Sequence, residues 1–159
     1  MNLEVKILLK KLGFFISPVI IWIFIVVLID PFNYFNISNV ISQTSKEKSA
    51  KKLNSLLYNT IYYKNNPTKN IIIGDSRIRK LPVKKIKELT GETYYTLHSN
   101  AAKLNELIDL FWLSTEYADI ENIVIGINFN IYNQYAYANN VADVKALLKN
   151  PLIYIFNFR

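Results

Sequence analysis

The chain has 159 residues, 51% hydrophobic and 14% aromatic, with only 4 glycines and 5 prolines. That is room for one domain plus an appendage, and it excludes disordered, collagen-like and low-complexity classes. With no cysteine and one histidine, disulfide scaffolds, thiol nucleophiles, thiolate metal clusters and multi-histidine zinc sites are out of reach; no cofactor is implied.

The formal charge of +7 is unevenly spread. Residues 46–88 hold twelve Lys and Arg against Glu47, Asp75 and Glu88, a local excess of +9, whereas residues 91–159 carry −3. Such a stretch reads either as solvated faces of lysine-rich helices or as a surface for an anionic partner. That partner is nucleic acid, lipid headgroups or an envelope polymer.

In chain order, residues 12–29 (LGFFISPVIIWIFIVVLI) come first, eighteen residues without a charge. A transmembrane helix needs about 20 residues for a hydrocarbon core of about 30 Å, so the run qualifies. Pro18 inside it predicts a kink that membrane helices tolerate. Trp22 lies mid-run, away from either interface. Lys6, Lys10 and Lys11 precede the run and Asp30 follows it, which places the N-terminus in the cytoplasm and the rest outside. A cleaved signal peptide is the competing reading. The run exceeds the usual apolar region of about 7–15 residues, and no small-x-small cleavage site follows. Residues 1–11 thus read as a cytoplasmic tail, 12–29 as an uncleaved anchor in the lipid bilayer, and 30–45 as an extracytoplasmic linker without periodicity. The outside location makes nucleic acid a poor partner.

Residues 46–63 space Ala50, Leu53, Leu56, Leu57 and Ile61 as an amphipathic helix, closed by Asn65-Asn66-Pro67. Asn70-Ile71-Ile72-Ile73 predicts a buried strand stopping at Gly74, and residues 79–89 a basic helix ended by Gly91. A second strand over 92–97 leads to an amphipathic helix over 103–117, built on Leu104, Leu107, Ile108, Phe111 and Trp112. A third strand over 121–127 precedes a helix over 141–149 that stops before Pro151. This alternation predicts an α/β fold, a three-layer parallel sheet covered on both faces. Its strand C-termini, and any ligand site, share one edge.

Three polar turns fall at that edge: Gly74-Asp75-Ser76-Arg77, His98-Ser99-Asn100-Ala101 and Gly126-Ile127-Asn128. A serine just after a strand-ending glycine is expected at a helix N-terminus, where free N–H groups and the dipole favour negative charge. An acyl-transfer nucleophile needs that setting, because its tetrahedral intermediate is an oxyanion. The plainer alternative is that Asp75 or Ser76 caps a helix.

Ile-Ile-Ile-Gly74-Asp75-Ser76, followed by Gly126-x-Asn128 on a later strand, resembles the SGNH (GDSL-type) hydrolase superfamily. The resemblance covers roughly residues 45–132, and it implies that residues 46–159 are the N-terminal part of a flavodoxin-like core. With the anchor and the preceding helix, it resembles the membrane-anchored bacterial branch. That branch acts on cell-envelope polysaccharide or teichoic acid as esterases or acyltransfer accessories, which implies an anionic cell-wall polymer and a membrane acyltransferase as partners. The resemblance implies Ser76 as nucleophile and Asn128 as the oxyanion-hole carboxamide. Gly74, Asp75 and Gly126 are motif neighbours, and Ala101 is the second-block N–H donor where glycine is usual.

Phe129 departs from the family's aspartate, and no Asp-x-x-His follows before Arg159. Without that base a serine is a weak nucleophile, so the chain is expected to be inactive alone. The sheet and the apolar segment 152–158 look unfinished, as in a truncated protein. His98, the sole histidine, reads as structural. The alternative function is a non-catalytic anchored module that binds an anionic polymer or a protein through residues 46–88. Neither a P-loop nor a dinucleotide fingerprint occurs.

Overall fold

The computed structural model describes residues 3–38, 40–133, 135 and 138–156. Helix α1 spans Leu3–Ile29. It begins well before residue 12 because Leu and Lys are good helix formers, so the segment expected as a tail is helical from Leu3. The helix is long and apolar enough to cross a membrane, and its most apolar 18-residue window has a mean hydropathy of 2.9. Pro18 deprives the Phe14 carbonyl of its N–H donor. The Ser17 hydroxyl donates to that same carbonyl at 2.8 Å, and the helix continues through the proline.

Residues 30–38 and 40–42 form a folded junction. Asp30 is buried with φ +37°. Its carboxylate accepts the N–H groups of Tyr34 (2.7 Å), Phe35 (3.0 Å) and Asn36 (2.8 Å) and the Tyr154 hydroxyl (3.3 Å). Lys46, counted above among the basic residues, is buried and donates to Asn33 Oδ1 at 3.0 Å and the Ser38 carbonyl at 2.9 Å. What holds this stretch is side-chain bonding to backbone groups, and such bonds leave no periodic pattern in a sequence.

Helix α2 (Gln43–Asn65) is broken at Asn54 (φ −149°, ψ 92°). The Asn54 side chain accepts from Leu57 N at 2.9 Å and so caps the second half. Strands β1 (Asn70–Gly74), β2 (Tyr94–His98) and β3 (Asn122–Ile125) form a parallel sheet in the order β2-β1-β3, with Ile72 opposite Thr96 and Val124. The fold is therefore α/β with a three-stranded parallel sheet.

One face carries Ile71, Ile73 and Leu97 into the core. They meet Leu56, Leu57 and Ile61 of α2, Leu107, Leu110 and Leu113 of α4 (Leu104–Thr115), and Val141 and Val144 of α5 (Asn140–Lys149). Each such buried aliphatic side chain contributes about 1.5–3 kcal/mol. On the other face Ile78 sits over the sheet. A Cβ at Gly74 would lie 2.7 Å from Ile78 Cγ2, and one at Gly126 would be closer still. Both motif glycines thus make room for Ile78.

The basic helix expected over 79–89 is split. A 3-10 turn (Ile78–Lys80) precedes Pro82, and α3 is Val83–Thr90, ended by Gly91 at φ +75°. Proline pushes the residue before it toward extended backbone, and Leu81 sits at ψ 132°. The expectation of full cover fails at β3, where all four residues are exposed. It pairs with β1 only, and among the described residues no helix packs extensively over it.

A short helix α6 (Pro151–Ile155) turns back onto the junction. Tyr154 stacks on Tyr34 at 4.4 Å and meets Phe32 and Phe35 edge-on.

Candidate functional site

At the C-terminal edge of the sheet a cavity of about 440 Å³ is lined by Asp75, Ser76, Arg77, Ala101, Ala102, Lys103, Asn128, Asn130 and Asn133. The three turns singled out in the sequence therefore converge, and Ser76, Ala101 and Asn128 share one cavity. Gly74 and Gly126 lie beneath it, under Ile78.

Ser76 is half-buried in a turn that runs into the three-residue 3-10 segment. It does not begin an α-helix, contrary to expectation, because Pro82 delays α3 to Val83. The dipole of a full helix is therefore missing behind its hydroxyl. Asp75 is the organiser of the turn. Its carboxylate accepts the Arg77 N–H at 2.9 Å, while its backbone carbonyl accepts from Ile78 N at 3.2 Å. The second carboxylate oxygen accepts from the Asn128 amide at 2.7 Å and faces the Arg77 guanidinium at 3.5 Å. Asn128 in turn accepts from Asn130 N at 2.9 Å. Its carboxamide, expected to face an oxyanion, is thus tied to Asp75 by one of its two N–H groups. Lys103 reaches across to the Asn130 carbonyl at 3.1 Å.

Ala101 adopts φ +52°, the left-handed region that glycine enters without a Cβ penalty. The backbone there has the shape a glycine would take, although the residue is alanine. Ala101→Gly is accordingly expected to relieve strain and leave stability unchanged or raised by up to about 1 kcal/mol. The midpoint of urea unfolding measures this, and a loss of more than about 1 kcal/mol would contradict it.

His98 lines a separate cavity of about 290 Å³ with Lys51, Asn59, Arg79, Val83, Tyr94, Tyr95 and Thr96. Among the described residues its ring nitrogens have no hydrogen-bond partner. Burial first, then Arg79 and Lys51, holds its pKa below the ordinary histidine value. It is not among the residues lining the Ser76 cavity.

One residue escaped the sequence reading. Glu106 is fully buried in the first turn of α4. Its carboxylate accepts the Val141 N–H at 3.3 Å, at the start of α5, and the Ser99 hydroxyl at 3.4 Å. It thereby fastens the turn carrying Ala101 to two helices. The signal was present: Glu106 shares a helical stripe with Leu110 and Leu113, so an acid sits where only apolar residues belong.

The basic stretch is partly spent inside the molecule. Lys46 is buried, and Lys51, Lys69 and Arg77 pair with Glu47, Glu121 and Asp75. Arg79, Lys80, Lys84, Lys85 and Lys87 remain exposed on the 3-10 turn and α3. No known protein family, curated protein or solved structure matches the chain.

Proposed function

We propose that the chain is a membrane-anchored, extracytoplasmic SGNH-like acyl-transfer module for an anionic cell-envelope polymer, with α1 as its anchor. The observation that carries this reading is that Ser76, Ala101 and Asn128, from three separate strand ends, line one cavity. Ser76 Oγ attacks the acyl carbonyl, and its proton goes to the departing alkoxide. The backbone N–H groups of Ser76 and Ala101, with the free amide hydrogen of Asn128, face the developing oxyanion. Arg77 and Lys103 at the rim, and the five exposed cations of residues 79–87, attract a polyanion. The transfer partner of this reading is a membrane acyltransferase.

The titratable groups lining the cavity are Asp75, Arg77 and Lys103. Asp75 is already engaged by Asn128 and Arg77, so none of them serves as a free general base. A serine hydroxyl without a base reacts slowly. Acylation by these lining groups is therefore slow and stoichiometric, and turnover needs a base from outside the described lining of the cavity. A fluorophosphonate probe should label wild-type protein slowly and Ser76→Ala not at all. Equal labelling of Ser76→Ala removes Ser76 as the nucleophile.

A second reading is favoured by the engaged Asn128 carboxamide: a non-catalytic module that holds an anionic polymer. It predicts no probe labelling of the wild type, and polymer binding that weakens with salt but survives Ser76→Ala.

A further inference from the structure

Helix α6 is tied to the side of α1, not to its end. The Trp22 indole N–H donates to the Ile155 carbonyl at 3.2 Å. Trp22 lies seven residues before the last residue of α1, about 10 Å along the axis at a rise of about 1.5 Å per residue. If the uncharged run 12–29 occupies the hydrocarbon core, that carbonyl is well below the plane where the chain leaves the lipid. From this we infer that α6 is a membrane-embedded wedge, seated in the outer leaflet beside α1, with lipid acyl chains as the partner of its outer face. The inference rests on the reading of α1 as a membrane span.

Composition fits. Residues 151–156 (PLIYIF) carry no charge. Tyr154 and Ile155 face inward, each 7% exposed, whereas Leu152, Ile153 and Phe156 present 59%, 46% and 42% of their surface outward. That outward face adjoins α1, which is itself apolar and uncovered.

Backbone satisfaction fits as well. Polar backbone in hydrocarbon must find internal partners. The Asn150 side chain accepts from Leu152 N at 2.9 Å, and the Asn150 carbonyl takes the Ile153 and Tyr154 N–H groups. Phe156 N donates to the Leu152 carbonyl at 3.0 Å. Trp22 supplies the donor for Ile155, whose carbonyl at a helix C-terminus has no partner within the helix, and in the same bond the indole avoids an unpaired N–H in lipid. Exposed Lys149 just before α6 stands where a headgroup would meet it.

The chain has no native cysteine, so single cysteines report without background. Phe24→Cys, Leu152→Cys, Ile153→Cys and Leu89→Cys are spin-labelled in the full chain, in vesicles of phosphatidylcholine and phosphatidylglycerol. Accessibility to oxygen and to a water-soluble nickel chelate is then compared. Positions 152 and 153 should follow position 24, with an oxygen-to-nickel ratio several-fold above that at exposed position 89. Nickel access at 152 and 153 equal to that at 89, with 24 still in lipid, overturns the wedge and leaves the anchor intact. Nickel access at 24 overturns the anchor and the wedge together. Labels at 152 and 153 shielded from both reagents reveal a protein partner on this face and also overturn the inference.

Discussion

Asp30→Ala should destabilise the folded chain by about 3 kcal/mol or more, because a buried carboxylate holding several donors is removed and those partly buried donors lose their acceptor. The three amides of Tyr34, Phe35 and Asn36 converge on it within 3.0 Å, and the Tyr154 hydroxyl is a fourth donor. A hydrogen bond to a charged group is worth about 1.5–3 kcal/mol, so partial rearrangement still leaves a large deficit. Alanine must also hold the left-handed backbone of Asp30 (φ +37°), adding about 1–2 kcal/mol of strain. Thermal unfolding of the detergent-solubilised chain measures the loss. Asp30→Asn, which keeps one acceptor and tolerates the backbone, should lose markedly less. A loss below about 1 kcal/mol for Asp30→Ala would mean that the junction is not held by this carboxylate.

Glu106→Ala is expected to cost about 2–4 kcal/mol by leaving the Val141 amide and the Ser99 hydroxyl without an acceptor and opening a cavity in the core. The effect should reach the candidate site, because Ser99 lies two residues before Ala101 and receives the Asn140 amide at 3.4 Å. Amide hydrogen exchange of Val141 and of residues 99–102 should accelerate in the variant and largely recover in Glu106→Gln. Unchanged exchange at residues 99–102 would separate Glu106 from the turn that carries Ala101. These two acids are both fully buried. One sits at the junction after α1 and the other fastens the turn that carries Ala101.

Much of this architecture was legible in the residues. The apolar run 12–29, the β-branched run at Ile71–Ile73 and the spacing of Leu107 and Phe111 reported an anchor-length helix, a central strand and an amphipathic helix, since burial imposes a period. The three edge turns were legible because strands in a parallel sheet end together. What escaped were features without a period. Asp30 works through backbone amides, Asn54 splits a helix that its apolar spacing reads as continuous, and Pro82 separates Ser76 from α3. The pairing of Asp75 with Asn128, 53 positions apart, is a tertiary event that no local pattern encodes. The apolar residues of β3 promised a covered strand, and nothing in their spacing told that all four positions would be exposed.

That third strand has a consequence for handling the protein. Ile123, Val124 and Ile125 are exposed beside a row of peptide groups paired only toward β1, with no proline or lysine to blunt the rail. Such a rail recruits any extended chain that can zip onto it, including another molecule of the same kind. Clumping of the purified chain should therefore begin at this flank. A charged residue at Val124, itself exposed, would be the first remedy.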